Sequence, residues 1–330
     1  MENETKQVIK HKNMDIFHIL KQTIIIYFKN INFILFTFLT SLPYFFLMLY
    51  FETLFQQTVV QTPQIISSLP FLEKNPIRFQ SISITNNILL IDVPSFSEDY
   101  LPVLLQLALI YTFPLHFLEF CSTVITMKLS SKLISSDNKM SLKDMFQNSI
   151  DISMMIGTFI TSLYVLTLSN CLLIAFPWTV SNCYSLFSVF GLYLLVPLIC
   201  CVAVGKLLMV YLEWSAIWNM SIVISVLDGI YGVGALRVSY FFSSGNRKRG
   251  LLLMLVFFVF GICLRLICIY FECYKGGNGI FLQIGILTVV NTLKWVSCVI
   301  YFNDCKERKL EKIADLEKGK VKLESNAPKE

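Results

Sequence analysis

Six apolar stretches run along the chain, each close to the roughly 20 residues that a helix needs to cross a bilayer. They cover residues 31–51, 101–127, 156–176, 186–205, 251–270 and 280–301. The polar stretches between them differ in charge. Residues 1–30 carry Lys6, Lys10, Lys12, Lys21 and Lys29. The second–third connection carries Lys128, Lys132, Lys139 and Lys143, and the fourth–fifth connection carries Lys206, Arg237, Arg247, Lys248 and Arg249. The tail, residues 303–330, is rich in lysine from Lys306 onward. The alternating loops hold only Lys74 and Arg78, then no charge, then Lys275. Lys and Arg collect on the cytosolic side of short loops. The pattern therefore predicts an all-α integral membrane protein with six transmembrane helices and both termini in the cytosol. The first stretch follows a polar segment of mixed charge and reads as an uncleaved anchor.

Two segments need separate treatment. Residues 52–100 form the predicted external loop and are polar, with Glu52, Glu73, Asp92, Glu98 and Asp99. Within it, Ser81–Thr85 and Ile88–Asp92 flank Asn86-Asn87, which predicts a small β-hairpin. Residues 207–242 are ambiguous. From Trp214 to Leu236 the one acidic residue is Asp228, and the stretch could be a seventh span. A seventh crossing would put Arg247-Lys248-Arg249 or the basic tail on the wrong side. In addition, Ser215, Asn219, Ser225, Asp228, Gly229 and Gly232 recur at helical steps, opposite Ile217, Trp218, Val223, Leu227, Ile230 and Tyr231. A two-faced helix belongs at an interface. The reading favoured is an interfacial segment containing Trp214, Trp218, Asp228, Gly232 and Arg237. It is broken at the glycines and either lies on the cytosolic leaflet or packs under the bundle. The tail after Asn303 is expected to be solvated, with a few further helical turns through Lys306 to Leu316 as the alternative.

This middle segment also carries a resemblance. Lys206, Tyr211-Leu212, Trp214, Trp218, Ser225-Val226-Leu227-Asp228, Tyr231-Gly232, Ala235-Leu236 and Ser239 resemble a stretch found in a plant-expanded family of uncharacterised multi-pass membrane proteins. In that family the stretch lies between the fourth and fifth spans. Asp228 departs from it where Glu is usual, and Phe241 to Arg249 departs where an apolar-Gly-Lys turn is usual. A fainter likeness links the segment to the membrane-embedded part of some bacterial glycerophosphodiesterases, which is not their catalytic part. The resemblance implies a multi-pass layout and no particular activity.

Composition agrees with the lipid setting. Hydrophobic residues make up 55% of the chain and charged residues 15%, against about 25% charged in soluble domains. The 10 cysteines are scattered, with one adjacent pair, Cys200-Cys201, and no C-x-x-C, so they read as small buried hydrophobes. With only 3 histidines, His-box membrane enzymes are excluded. There is no nucleophile elbow, phosphate loop, dinucleotide fingerprint or zinc-protease motif. No catalytic residue, cofactor or metal is expected. Nucleic-acid binding is unsupported, because the basic residues hug the membrane.

Three charges fall inside predicted spans: Glu119, Arg265 and Lys294. Such charges are costly in lipid and default to a functional hypothesis. Glu119 and Lys294 lie at matching depth on two inward-running spans, so a pair is physically sensible, either as a packing element or as a transport site. His116, one turn from Glu119, would be a packed imidazole or a proton relay. Arg265 lies nearer the outer end of its span, where it can snorkel with help from Glu272. Arg247, Lys248 and Arg249 either fix topology or contact anionic lipid headgroups. Cys305, just past the last span, could accept palmitate. The favoured function is a non-enzymatic scaffold or lipid-organising protein whose sure partner is the bilayer. The alternative is a small-solute or ion transporter using Glu119, Lys294 and His116, and a lipid-modifying enzyme ranks last. Span length does not separate the endoplasmic reticulum and secretory pathway from the plasma membrane.

Overall fold

A computed structural model describes residues 16–68, 101–135, 145, 152–190, 195–275 and 278–325. The described residues are helical, with no strand among them. In chain order they form α1 (Ile16–Lys29), α2 (Ile31–Ser68), α3 (Leu101–Ile110), a π turn (Tyr111–Leu115), α4 (His116–Ser135), α5 (Ile152–Phe190), α6 (Leu195–Leu227), α7 (Val233–Ser243), α8 (Arg247–Tyr270), a 3₁₀ turn (Cys273–Lys275) and α9 (Asn278–Ser325). Six stretches among them are long and apolar enough to cross a membrane: Ile31–Val60, Leu105–Ser135, Ile152–Cys183, Leu198–Leu227, Arg247–Tyr270 and Asn278–Ala314. This is the architecture of an integral membrane protein. Large apolar side chains such as Phe46, Phe113, Ile174, Trp178 and Leu266 point outward, an exposure that lipid tolerates and water does not.

α9 is the central helix. Of its most apolar stretch, 56% is buried inside the fold, against 28% or less in each of the other five. It touches α1, α2, α4, α6, α7 and α8, whereas α5 packs mainly against α6. Between helices in lipid there is little hydrophobic driving force, so small residues and interhelical hydrogen bonds carry the packing. Ser41 Oγ lies 2.8 Å from Ser122 Oγ between α2 and α4. Thr23 Oγ1 lies 2.9 Å from Ser297 Oγ between α1 and α9. Gly250 of α8 sits where three helices converge: a Cβ there would fall 2.8 Å from Tyr301 Oη and 2.9 Å from Ala216 Cβ.

The structure moves several boundaries. The span expected at residues 31–51 continues as helix to Ser68, so Glu52 belongs to α2 and not to an external loop. The sequence reading missed this because Glu52, Gln56 and Gln57 look like the start of a polar loop. The expected hairpin at residues 81–92 lies outside the described residues. The third and fourth stretches, expected at 156–176 and 186–205, are parts of longer helices: α5 runs to Phe190, and α6 continues without a break to Leu227. Residues 207–227 are thus the second half of α6 and not a separate helix. The tail helix extends beyond Leu316 to Ser325. Residues 16–29, assigned to a cytosolic segment, form α1, which buries Ile19, Thr23 and Tyr27 against the bundle.

The break at the glycines does occur. Gly229 and Gly232 have φ of +66° and +61°, in the left-handed region that suits glycine. After them α7 folds back along α6. Ser239 Oγ donates to the Ile217 carbonyl, and the Tyr240 ring stacks on Trp214 with centroids 6.5 Å apart. The turn is held to α5, where Thr161 Oγ1 accepts from the Gly232 N–H at 2.7 Å and from Ser225 Oγ at 2.9 Å. After this turn-back, α8 packs against the second half of α6. Arg247 meets Glu213, Gly250 meets Ala216, and Met254 meets Asn219.

Candidate functional site

α4, α5, α6, α8 and α9, together with the π turn, line a cavity of about 330 Å³. This is the low end of the volume range, about 300–1,000 Å³, of small-molecule sites. The intramembrane residues Glu119, His116 and Lys294 all line it. They reach it from the interior of two apolar stretches, Leu105–Ser135 and Asn278–Ala314.

Local structure brings them there. The π turn holds Pro114, which has no N–H to give to a helical bond. A wider turn accommodates that loss, and the His116 N–H donates to both Phe113 and Tyr111 carbonyls. His116, Glu119 and Thr123 then follow at steps of three and four on one face of α4. Across the cavity α6 presents Ser215, Trp218, Asn219 and Ile222, again at helical spacing. This is the polar stripe that made the segment read as interfacial. Its Ser215 and Asn219 face an internal cavity, and Ser225 faces Thr161.

Some polar groups in the cavity are satisfied. His116 Nε2 lies 3.0 Å from Ser162 Oγ. Ser169 Oγ lies 3.4 Å from Tyr211 Oη. Asn219 Nδ2 donates to Met254 Sδ at 3.1 Å and to Ser215 Oγ at 3.4 Å. Others are not. Among the described residues, no hydrogen bond or ion pair joins Glu119 to Lys294, and neither charge has another hydrogen-bond partner. The Lys294 ammonium rests over the Trp295 ring, 4.6 Å from its centroid. Thr123 Oγ1 and Trp295 Nε1 are buried without a partner, and both residues line the cavity. The expected Glu119–Lys294 pair is replaced by two charges that share a chamber. Leaving each charge inside a span costs about 2.5–3.5 kcal/mol on insertion scales, so the chamber must give them polar company.

Sequence reasoning missed a second charged group. Glu52 is fully buried and accepts from Arg265 in bidentate fashion, at 3.0 Å from Nε and 3.3 Å from Nη2. Gln56 Nε2 and Gln283 Nε2 donate to the same carboxylate at 3.1 and 3.4 Å. Arg265 was expected to snorkel with Glu272. Instead it ties α8 to α2, and Glu272 pairs with Lys275 at 2.6 Å. The available signal was the i, i+4 pair Glu52–Gln56, which continues the helical face of the first span.

The remaining predicted residues sort as follows. Trp218 is buried in the cavity wall, and Trp214 is partly exposed beside Tyr240. Asp228 binds Lys306 at 2.7 Å, Gly232 makes the turn, and Arg237 is exposed. Of the basic trio, Arg247 pairs with Glu213 at 3.3 Å and lies over Tyr240, Arg249 pairs with the buried Asp304 at 3.3 Å, and Lys248 is exposed. Asp304 also accepts from Arg308 at 3.0 Å. Cys305 is fully buried, which removes the access that palmitate transfer would require.

Among the described residues, no His/Cys/Asp/Glu group could hold a metal. Comparison with protein families, with known proteins and with solved structures finds no match to the chain.

Proposed function

We propose that the protein binds a small polar solute inside the membrane and moves it across, with Glu119, Lys294 and His116 as the groups that meet it. One observation carries this reading: an acid and a base, unpaired with each other, line a cavity of about 330 Å³ bordered by five apolar helices. A pure scaffold would gain nothing from two such charges, whereas a binding site needs them free.

In this proposal both termini lie in the cytosol, as the Lys and Arg distribution supports. Protease added to sealed, right-side-out vesicles should leave the tail intact, and cleavage there would refute the orientation. The function is tested by flux. The full chain is reconstituted into liposomes loaded with a mixed pool of amino acids, amines and organic acids, and efflux is read by mass spectrometry. At least one solute should leave faster than from empty liposomes, and Glu119→Gln or Lys294→Met should abolish the difference. Equal efflux of every solute from both preparations would overturn the proposal.

A further inference from the structure

The cavity holds polar groups of both kinds that the fold leaves unsatisfied, and their identity constrains the occupant. On the donor side is the Lys294 ammonium, which has no hydrogen-bond partner among the described residues. On the acceptor side is the Glu119 carboxylate, with Tyr111, Phe120, Trp218, Phe257 and Phe258 among the cavity's aromatic walls. An unpaired ammonium in a cavity wall calls for an anion that accepts its hydrogen bonds. A carboxylate among aromatic faces calls for a cation.

A lone cation would pair Glu119 and leave Lys294 unpaired, while a lone anion would do the reverse. Only a molecule with both charges pairs both ends. We propose that the occupant is a zwitterionic group, with its ammonium at Glu119 and its phosphate or carboxylate at Lys294. The inference rests on the solute-binding reading above. The group could enter as a free solute or as the headgroup of a bilayer lipid, and the two sources share this chemistry.

The test uses the purified full chain and a probe panel. Phosphoethanolamine and γ-aminobutyrate are the zwitterions, ethanolamine the cation, and phosphate and butyrate the anions. Binding is measured by calorimetry in detergent. In parallel, native mass spectrometry follows lipid retained from nanodiscs of phosphatidylglycerol with and without phosphatidylethanolamine. At least one zwitterion should bind roughly tenfold or more tighter than any of the single-charge probes, or phosphatidylethanolamine should be retained over phosphatidylglycerol. Glu119→Gln and Lys294→Met should each remove that preference. Retention of the lipid without free-solute binding assigns the headgroup, and the converse assigns the solute. If ethanolamine, phosphate or butyrate alone binds as tightly as the zwitterions, the zwitterion inference falls while the binding site stands. If no probe binds, no lipid is selected and no flux is seen, both readings fall. Should a variant fail to fold, the wild-type panel alone decides between these outcomes.

Discussion

The Glu52–Arg265 clamp allows a quantitative test of how this bundle is held together. Glu52 is 0% exposed, and its carboxylate takes two bonds from Arg265 and one each from Gln56 and Gln283. Glu52→Leu deletes every acceptor in that cluster and leaves a guanidinium with no counter-charge. Removing one partner of a buried pair costs about 3–5 kcal/mol. The Arg265 side chain is 41% exposed and can lean toward headgroups, which favours the lower end, about 3 kcal/mol. That is roughly a hundredfold in the folding equilibrium. Arg265→Met should cost more, toward about 5 kcal/mol, because Glu52 has no route to water. The double variant Glu52→Leu/Arg265→Met removes both charges and should recover most of the loss, since apolar replacement of a whole buried pair is often close to neutral. The assay is thermal unfolding of the detergent-solubilised chain, followed by fluorescence-detected size exclusion. If the double variant melts at the temperature expected from adding the two single losses, the clamp is not a coupled pair and the reasoning fails.

Three further outcomes follow from the packing. Gly250→Ala should destabilise the bundle by about 1–3 kcal/mol through overpacking against Tyr301 and Ala216, whereas Gly261→Ala, which meets open space, should not, and thermal melts of the two variants make the comparison. A double-mutant cycle of Ser41→Ala and Ser122→Ala should give a coupling of about 0.6 kcal/mol, and a value indistinguishable from zero would show that their 2.8 Å contact does not contribute. The buried thiol of Cys305 should carry no thioester in an acyl-exchange assay and should react with N-ethylmaleimide only after denaturation. Labelling of the native protein at Cys305 would contradict its burial.

Hydropathy made the spans legible, because a run of apolar residues is a local property. It placed Glu119, Lys294 and His116 inside the spans, and the fold gathers all three around one chamber. The partner of each charge was not legible. Glu52 and Arg265 meet across 213 positions of sequence, and no local pattern reports such a contact. The α6 stripe shows a different limit. A periodicity of three and four says that Ser215 and Asn219 share a face, but not whether that face looks at water or at a cavity inside the protein. The same ambiguity hid α1, whose outward Phe17, Ile24, Ile25 and Phe28 sit among lysines that made the segment look purely cytosolic. Thr123 and Trp295 gave no signal, since an unsatisfied hydroxyl or indole is visible only once its surroundings are known.

The π turn at Tyr111–Leu115 joins two helical pieces, each held by its own contacts. Before it, Gln106 Nε2 on α3 donates to Tyr50 Oη of α2 at 2.9 Å. After it, His116 on α4 engages Ser162 of α5. One extra residue in the rod lets both registrations hold at once. Shortening the chain by one residue there would turn one piece against the other by about 100°. The rod would then keep either the Gln106–Tyr50 contact or the placement of the imidazole and carboxylate in the chamber. The wide turn thus works as a coupling with one step of slack, and the aim of the charged groups depends on that step being present.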